Sequence, residues 1–283
     1  MPLVTTNEML AAARNGAYAV AAFNCENMEM IQAIIAAGEE MNAPLILQTT
    51  PSTVSYASAE LFAANAAAAA KNASIRVALH LDHGNTHELA EEALRAGYTS
   101  IMIDGSALPL EENIAFTKKT VDLCVKAGIP VEGELGRVGG KEDDLESDGS
   151  GYTDPEEAVR FIKETGVSSL AVGVGTAHGV YAVKPVLNTE LISVLRKLLP
   201  VPLVLHGGSG LEDDVIRECI ARGISKVNVA TDLRIAYTQA VREYLQNDPR
   251  CIDPKKFGKA GRDAVKKVAI NRILVCGCQG RSG

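Results

Sequence analysis

The sequence lacks a run of basic residues, and its formal net charge is −7 over 283 residues. Proteins that bind nucleic acid or an anionic membrane usually present a positively charged face, so neither is expected as a partner. No stretch of about 18 uninterrupted apolar residues is present, so no transmembrane helix is expected. The first 16 residues do not combine a basic segment with an apolar one, so we expect no secretion leader.

The six cysteines lack the paired spacing of a zinc ribbon. Because a chain of this length does not need disulfides to be stable, we expect reduced thiols in a cytoplasmic protein. The Cys276-Gly-Cys278 pair could bind a metal or oxidise, but such a pair is more often incidental. With 47% hydrophobic residues the chain can bury a large core, and disorder is not expected.

Short, nearly continuously apolar segments alternate with longer helical patterns. The predicted strands cover residues 19–24, 44–49, 76–82, 100–104, 130–135, 169–175, 202–208 and 226–230. The predicted helices cover residues 28–42, 58–72, 87–96, 110–127, 154–165, 190–199 and 211–222. Continuous apolarity is typical of strands buried on both faces, and eight strand–helix units can close a barrel. An open doubly wound sheet is the rival, but no Gly-x-Gly-x-x-Gly follows the first strand.

We therefore predict an α/β protein with one domain over residues 1–283, a single (β/α)₈ TIM barrel with a C-terminal helical extension. The extension is helical from about residue 259 to 274 and packs on the outside of the barrel or on another subunit. The Gly- and Asp-rich segment 139–151 follows the fifth strand. It is either a solvated acidic loop or a mobile lid over the barrel mouth.

Three of the five histidines, His83, His178 and His206, fall at or just beyond the C-terminal ends of three predicted strands. Active sites of barrels lie at this end, and three imidazoles with an open fourth position are a catalytic zinc arrangement. A single histidine at a strand end is more often structural, but three at one rim with carboxylates between them favour a metal. We interpret His80, directed into a barrel layer or away from the mouth, and His87, on a helix, as structural.

The loops after the last two strands are a common phosphate site in such barrels. Here they contain His-Gly-Gly-Ser-Gly at 206–210 and Asn-Val-Ala-Thr at 228–231. Glycines let backbone N–H groups approach an anion, the predicted helix near residue 211 adds its positive end, and Ser209 and Thr231 can donate hydroxyl hydrogen bonds. A metal beside a phosphate suits enolate chemistry. Asp82 is then a candidate general acid/base, or it orients a histidine ligand.

The segments YAVAAFN, HLDHG, SIMIDGS, VEGELGRVGGKEDD, GTAHGVY, PLVLHGGSG and KVNVATDL follow one another in this order. Together they resemble the class II (zinc-dependent) fructose-/tagatose-bisphosphate aldolases over almost the whole chain. The zinc ligands implied by the resemblance are His83, His178 and His206. It also implies that Asp82 moves the proton of the substrate C4 hydroxyl and that Glu142 moves the proton on the triose carbon. Asp104 and Glu134 would hold the metal in an alternative, resting position.

The resemblance further implies a set of substrate-binding residues. They are Asn24, Ser52, Gly179, Gly207, Gly208, Ser209, Asn228, Val229, Ala230, Thr231 and Lys255. The implied reaction is reversible cleavage of a ketohexose 1,6-bisphosphate to dihydroxyacetone phosphate and glyceraldehyde 3-phosphate. Similar enzymes often use a monovalent cation (Na⁺ or K⁺) at the phosphate site and form homodimers or homotetramers.

One position departs from the family pattern. Many relatives carry an arginine after the Asp253-Pro254 pair, and that arginine grips the distal phosphate from a neighbouring subunit, whereas this chain has Lys255. Lysine keeps the charge but not the bidentate fork, so a preference for a bisphosphate over a monophosphate sugar does not follow. The GTAHG and NVAT segments look like the tagatose branch, and TDLR looks like some fructose-type members. Some tagatose-type relatives also need a helper protein.

Three other functions remain as alternatives. A Schiff-base aldolase needs a lysine at the C-terminal end of a strand inside the barrel, whereas Lys226 starts its predicted strand, on a face that we expect to point away. A zinc hydrolase of this fold would commonly carry His-x-His on the first strand, which reads AVAAFN. A non-catalytic sugar-phosphate-binding homologue should lose Asp82, Glu142 or a ligand histidine, and all are present.

Overall fold

The computed structural model describes residues 3–142, 145–147, 151–179, 181 and 185–282, with the backbone alone at 141, 142 and 145–147. Its strands are β1 Val20–Asn24, β2 Leu45–Thr49, β3 Val77–Gly84, β4 Ser100–Ile103, β5 Val131–Leu135, β6 Gly139–Glu142, β7 Leu145–Ser147, β8 Ser169–Val172, β9 Ala177–His178, β10 Leu203–Leu205 and β11 Ile224–Val229. Its helices are α1 Thr6–Gly16, α2 Met28–Met41, α3 Pro51–Ala57, α4 Ala59–Ala70, α5 His87–Ala96, α6 Leu110–Val125, α7 Pro155–Thr165, α8 Thr189–Leu198, α9 Asp213–Arg222, α10 Thr231–Asn247 and α11 Pro254–Cys276.

Eight parallel strands close a barrel in the order β1-β11-β10-β8-β5-β4-β3-β2. The predicted (β/α)₈ barrel is thereby confirmed. All residues of β1, β2, β3 and β5 are buried, as expected for strands that are covered on both faces. The sixth and seventh predicted strands are too long, because β8 and β10 end before the glycines that begin the loops of the barrel mouth.

The N-terminal end of the barrel is covered by α1, a helix that the strand–helix pattern does not predict. The Val4 N–H donates to the carbonyl of Val77 at the start of β3, at 2.9 Å. Arg14 donates to the carbonyl of Leu199 ahead of β10, at 2.7 Å. Met9 and Leu10 are buried beneath the strands. The barrel therefore opens towards solvent at its other end, where the C-terminal ends of the strands lie.

The C-terminal extension is longer than predicted, and α11 packs on the outside of the barrel. Its buried residues include Val265, Ala269 and Ile273. Arg262 donates to the Gln32 Oε1 atom of α2 at 2.8 Å. The preceding helix, α10, is also absent from the prediction, because its sequence is largely polar and Leu233 is its one buried residue. No helix in the described ranges is both long and apolar enough to cross a membrane.

The position of Lys226 contradicts the sequence prediction. Its side chain is fully buried inside the barrel, where Nζ lies 2.9 Å from Glu132 Oε2. The prediction overlooked that Lys226 and Asn228 are two residues apart on β11, which runs from Ile224 to Val229. Alternation along a strand then gives Lys226 the same face as Asn228, which points into the barrel mouth.

Candidate active site

Three imidazoles converge at the C-terminal end of the barrel. His83 is the penultimate residue of β3, His178 ends β9, and His206 follows β10. One nitrogen of each lies within 4.8 Å of the other two, and His83 Nε2 and His206 Nδ1 are 2.9 Å apart. Neutral imidazole nitrogens directed at one point are the ligand set of a tetrahedral metal site with an open position.

A β-bulge brings two neighbouring residues of β3 to this site. Adjacent residues of a regular strand point to opposite faces. The register between β3 and β4 shifts between Leu81 and Gly84, and His83 has a left-handed φ of 50°. Such a backbone is unfavourable for a residue with a side chain and is often found at functional sites. It lets Asp82 and His83 both face the barrel mouth.

Two carboxylates lie beside the histidines. His83 Nδ1 is 2.8 Å from Asp104 Oδ2. Glu134 Oε2 lies 4.0 Å from His83 Nδ1 and 3.8 Å from His206 Nδ1, and among the described residues it has no hydrogen-bond partner. Burial, and then the charge of Asp104, raise the pKa of Glu134 well above its usual range. A buried carboxylate oxygen without a hydrogen bond, beside two imidazoles, fits a divalent cation as its partner.

Asp82 is held by two amide groups. Its Oδ2 accepts a hydrogen bond from Asn24 Nδ2 at 2.8 Å, and its Oδ1 accepts one from Asn228 Nδ2 at 3.1 Å. Gln48 Nε2 in turn donates to Asn24 Oδ1 at 3.0 Å. These side chains are buried, so the carboxylate has one orientation next to the histidine cluster.

A charged layer lies beneath the histidines, inside the barrel. His206 Nε2 is 3.0 Å from Glu132 Oε1, and Glu132 Oε2 is 2.9 Å from Lys226 Nζ. Burial would raise the pKa of Glu132, but the Lys226 ammonium and the His206 hydrogen bond outweigh it, so this pKa is lowered. Because the carboxylate accepts from the Nε2 side of His206, the Nδ1 atom is left for a metal. His80 belongs to this layer, with Nδ1 2.7 Å from Ser100 Oγ.

The glycine-rich loop at 206–210 is in close contact with residues 177 and 228. A Cβ atom at Gly207 would lie 2.5 Å from the Ala177 carbonyl, and one at Gly208 would lie 2.6 Å from the Asn228 carbonyl. The Gly208 N–H donates to Asn228 O at 3.1 Å and so is directed at the protein. Ser209 Oγ accepts from the Ala230 N–H at 3.0 Å, which leaves its hydroxyl hydrogen for a ligand.

The helix that meets these loops differs from the predicted one. The helix expected from residue 211 begins at Asp213, with acidic Glu212 as its N-cap. Ser209 Oγ instead accepts from the N–H groups at the start of α10, including that of Asp232 at 3.4 Å. The positive helix end next to the serine is therefore that of α10.

Comparison with known proteins identifies the family of this chain. The family model described as fructose-bisphosphate aldolase class-II matches residues 4–281. The chain belongs to that family. The YdjI aldolase from Escherichia coli K12 is 38% identical in sequence, with a TM-score of 0.89 and coverage of 99% of this chain and 100% of that one. A protein from Coccidioides immitis, named as a candidate fructose-1,6-biphosphate aldolase, is 29% identical, with a TM-score of 0.90 and coverage of 97% and 96%. The Fba aldolase of Campylobacter jejuni, at 22% identity, a TM-score of 0.83 and coverage of 98% and 96%, shares the fold.

Two of the expected substrate-binding residues, Ser52 and Lys255, lie on helices and not on barrel strands. Ser52, in the first turn of α3, lines a shallow pocket together with Glu26, Thr53 and Tyr56. Lys255 is 87% exposed and pairs with Asp253 at 3.0 Å. Lys255 therefore faces solvent in the single chain.

The segment after β5 is partly a hairpin. β6 and β7 pair antiparallel, and β6 also pairs with β9, where Gly140 lies opposite His178. A Cβ atom at Gly140 would collide with the His178 carbonyl. The backbone of Glu142 ends β6, but its side chain lies outside the described part of the chain. Gly179 directly follows His178 and has a φ of 88°.

The sequence analysis did not identify several residues that support the site. Gln48 orients Asn24, and Tyr181 donates from its hydroxyl to the Gly207 carbonyl at 2.9 Å while accepting from the Ala177 N–H. The pairing of Glu132 with Lys226 was also missed. Strand alternation could have indicated it, because Glu132 has the parity of Glu134.

Proposed function

We propose that this member of the aldolase family is a zinc enzyme that reversibly cleaves a ketohexose 1,6-bisphosphate, either the fructose or the tagatose sugar. The products are dihydroxyacetone phosphate and glyceraldehyde 3-phosphate. The observation that carries the proposal is the convergence of three imidazole nitrogens within 4.8 Å, beside an oriented Asp82. Zinc held by His83, His178 and His206 would polarise the substrate ketone and stabilise an enediolate.

Asp82 is the proposed base of the cleavage step. It takes the proton of the C4 hydroxyl, the C3–C4 bond breaks, and C4 becomes the aldehyde carbon. The electron pair of that bond stays with the triose fragment as the enediolate. Glu142, on the hairpin next to His178, returns a proton to C3 to complete dihydroxyacetone phosphate. The amides of Asn24 and Asn228 support this role, because they keep Asp82 in one orientation.

The loops at 207–209 and 228–231, together with Gly179, are proposed to bind the phosphate of the triose half. The hydroxyls of Ser209 and Thr231 and the first turn of α10 supply donors. A monovalent cation, Na⁺ or K⁺, is proposed beside them. Asp104 and Glu134 are proposed to hold the metal in a resting position, which their contacts with His83 support.

The domain organisation, the oligomeric state, the compartment and the sugar contacts are also proposed. Residues 1–283 are proposed to act as one domain in a cytoplasmic homodimer or homotetramer. The six cysteines are free thiols, which supports a reducing compartment. Asn24 and Ser52 are proposed to contact the sugar, and Lys255 its distal phosphate in a neighbouring subunit. Because Lys255 stands where many relatives have an arginine, an aldolase for another sugar phosphate is the alternative, followed by a non-catalytic sugar-phosphate-binding homologue.

A coupled cleavage assay tests the proposal. Fructose 1,6-bisphosphate and tagatose 1,6-bisphosphate are compared side by side, in zinc-loaded protein with and without EDTA. EDTA-sensitive cleavage is expected, and the ratio of kcat/KM values names the sugar. Cleavage that is unaffected by EDTA would contradict the metal assignment. Binding of sugar phosphates without turnover of either bisphosphate would favour the alternatives.

A further inference from the structure

Arg272 connects the C-terminal helix α11 with the loops that are proposed to bind phosphate. Arg272 of α11 is 12% exposed, with Nη2 2.8 Å from Asp232 Oδ2 and Nη1 3.0 Å from Asp213 Oδ1. Asp232 lies in the first turn of α10, and Asp213 begins α9. One guanidinium therefore joins the starts of the two helices that follow the last two barrel strands.

Asp232 also forms hydrogen bonds with the loop after β10. Its Oδ1 accepts a hydrogen bond from the Gly210 N–H at 3.1 Å, and its own N–H donates to Ser209 Oγ at 3.4 Å. Gly210 has a left-handed φ of 74°, so the turn has a conformation that few residues adopt without support. One aspartate thus fixes both the hydroxyl oxygen of Ser209 and the direction of the Gly210 N–H.

The charge of Asp232 makes Arg272 necessary. A carboxylate within hydrogen-bond distance of a loop that binds phosphate would repel the phosphate, and the repulsion is strong where water is partly excluded. Asp232 is 20% exposed. A guanidinium on its second oxygen neutralises the carboxylate without taking away the oxygen that Gly210 uses.

We propose that Arg272 is a positioning residue for phosphate binding. By pairing with Asp232 it keeps the Ser209 hydroxyl and the Gly210 turn in place and removes the repulsion between Asp232 and the bound phosphate. This inference rests on the proposed function, since it needs the loop at 207–210 to bind the phosphate of the substrate. Its effect falls on binding and not on proton transfer, because Asp82 is held by other residues.

Arg272→Met and its matched control Asp213→Asn separate this role from general support of the fold. Asp213 is the other partner of the same guanidinium and does not contact Gly210. For zinc-loaded protein, calorimetry would give the Kd of dihydroxyacetone phosphate and of inorganic phosphate. Arg272→Met is expected to weaken both about tenfold, the loss typical of a charged hydrogen bond, and to raise KM while kcat changes less than about threefold. Asp213→Asn is expected to stay within about twofold.

Two further variants test the physical cause. Arg272→Lys keeps the charge and is expected to recover most of the affinity. In Arg272→Met/Asp232→Asn the repelling charge is gone, so Kd should return to within about threefold of the wild-type value. Urea unfolding would show whether each variant folds, and Arg272→Gln replaces Arg272→Met if that variant does not.

The outcomes distinguish the two proposals. Equal Kd values in Arg272→Met and Asp213→Asn, with wild-type protein binding normally, would overturn the role of Arg272 alone. A fall in kcat with unchanged Kd would do the same. Wild-type protein that binds neither phosphate ligand would overturn the proposed function, and the inference with it, before any variant is compared.

Discussion

The barrel interior contains two layers of buried polar residues that differ in how their atoms are paired. In the lower layer, Lys226, Glu132 and His80 bond to one another and to Ser100. In the upper layer, at the rim, Glu134 Oε2 has no hydrogen-bond partner in the described part of the chain, and two histidines face each other at 2.9 Å. A completed network stabilises a fold, whereas buried polar atoms without partners at an open mouth are typical of a ligand-binding site.

The two layers meet at His206. Its Nε2 atom contacts Glu132 of the lower layer at 3.0 Å, and its Nδ1 atom contacts His83 of the rim at 2.9 Å. The lower layer can therefore orient a metal ligand without taking part in the reaction. The comparison predicts that rim variants lose activity while they stay folded, and that lower-layer variants lose stability first.

The largest expected effect is that of His83→Ala, with His87→Ala as its control. His83→Ala removes one of the three proposed zinc ligands, so we expect less than one zinc per chain and turnover near the background. His87 lies at the start of α5, with Nδ1 2.9 Å from Thr120 Oγ1, and its variant should keep zinc and activity. Metal analysis and the cleavage assay give both results. A fully zinc-loaded His83→Ala protein would show that the rim does not need this ligand.

The second largest effect is expected for Asp82→Asn. The substitution keeps the shape of the side chain but removes the proposed base, so kcat should fall by about 10²–10⁴-fold while zinc content is unchanged. Steady-state kinetics and metal analysis on the same sample check this. A rate close to that of the wild type would move the proton transfer to another residue.

Lys226→Met should mainly affect stability. It leaves the carboxylate of Glu132 buried without its counter-ion, and removing one partner of a buried pair costs about 3–5 kcal/mol. Urea unfolding of the zinc-free protein measures this cost, and Lys226→Met/Glu132→Gln should recover part of it. If the single variant is as stable as the wild type, the lower layer does not carry the stability that we assign to it.

The pH dependence of stability should change sign at the same residue. The folded-state pKa of Glu132 is lowered below its ordinary value of 4.5, so its stabilising effect is present above that pH and is lost as the pH falls through the folded-state pKa. In Lys226→Met the strongest effect that lowers the pKa of Glu132 is removed, so burial is expected to raise that pKa. The contribution of Glu132 is then lost as the pH rises above 4.5. Between pH 4.5 and 8, the contribution of Glu132 is expected to be constant in the wild type and to fall with rising pH in Lys226→Met, so the difference between the two unfolding free energies should grow.

The sequence was sufficient to predict the barrel and the position of the three histidines at its rim, because apolar strands and the residues at their ends are local features. It was not sufficient to predict the bulge at His83, because the bulge depends on how β3 pairs with β4. It also did not give the orientation of Lys226, which was assigned to the wrong face of its strand. The polar helix α10 was missed because its stability comes from packing under α11. Contacts such as Arg272 with Asp232 join residues that are far apart in sequence, and no local pattern predicts them.

The smallest expected effect is that of Ser100→Ala, which tests the lower layer at its far end. Ser100 Oγ lies 2.7 Å from His80 Nδ1 and 3.1 Å from Thr6 Oγ1 of α1, and all three side chains are buried. Removing the hydroxyl leaves a buried nitrogen without its partner, at a cost of about 1–3 kcal/mol. Because Lys226 and Glu132 still hold His206, kcat and zinc affinity should not change. A loss of zinc affinity in Ser100→Ala would mean that the two layers act as one network and that the distinction between them fails.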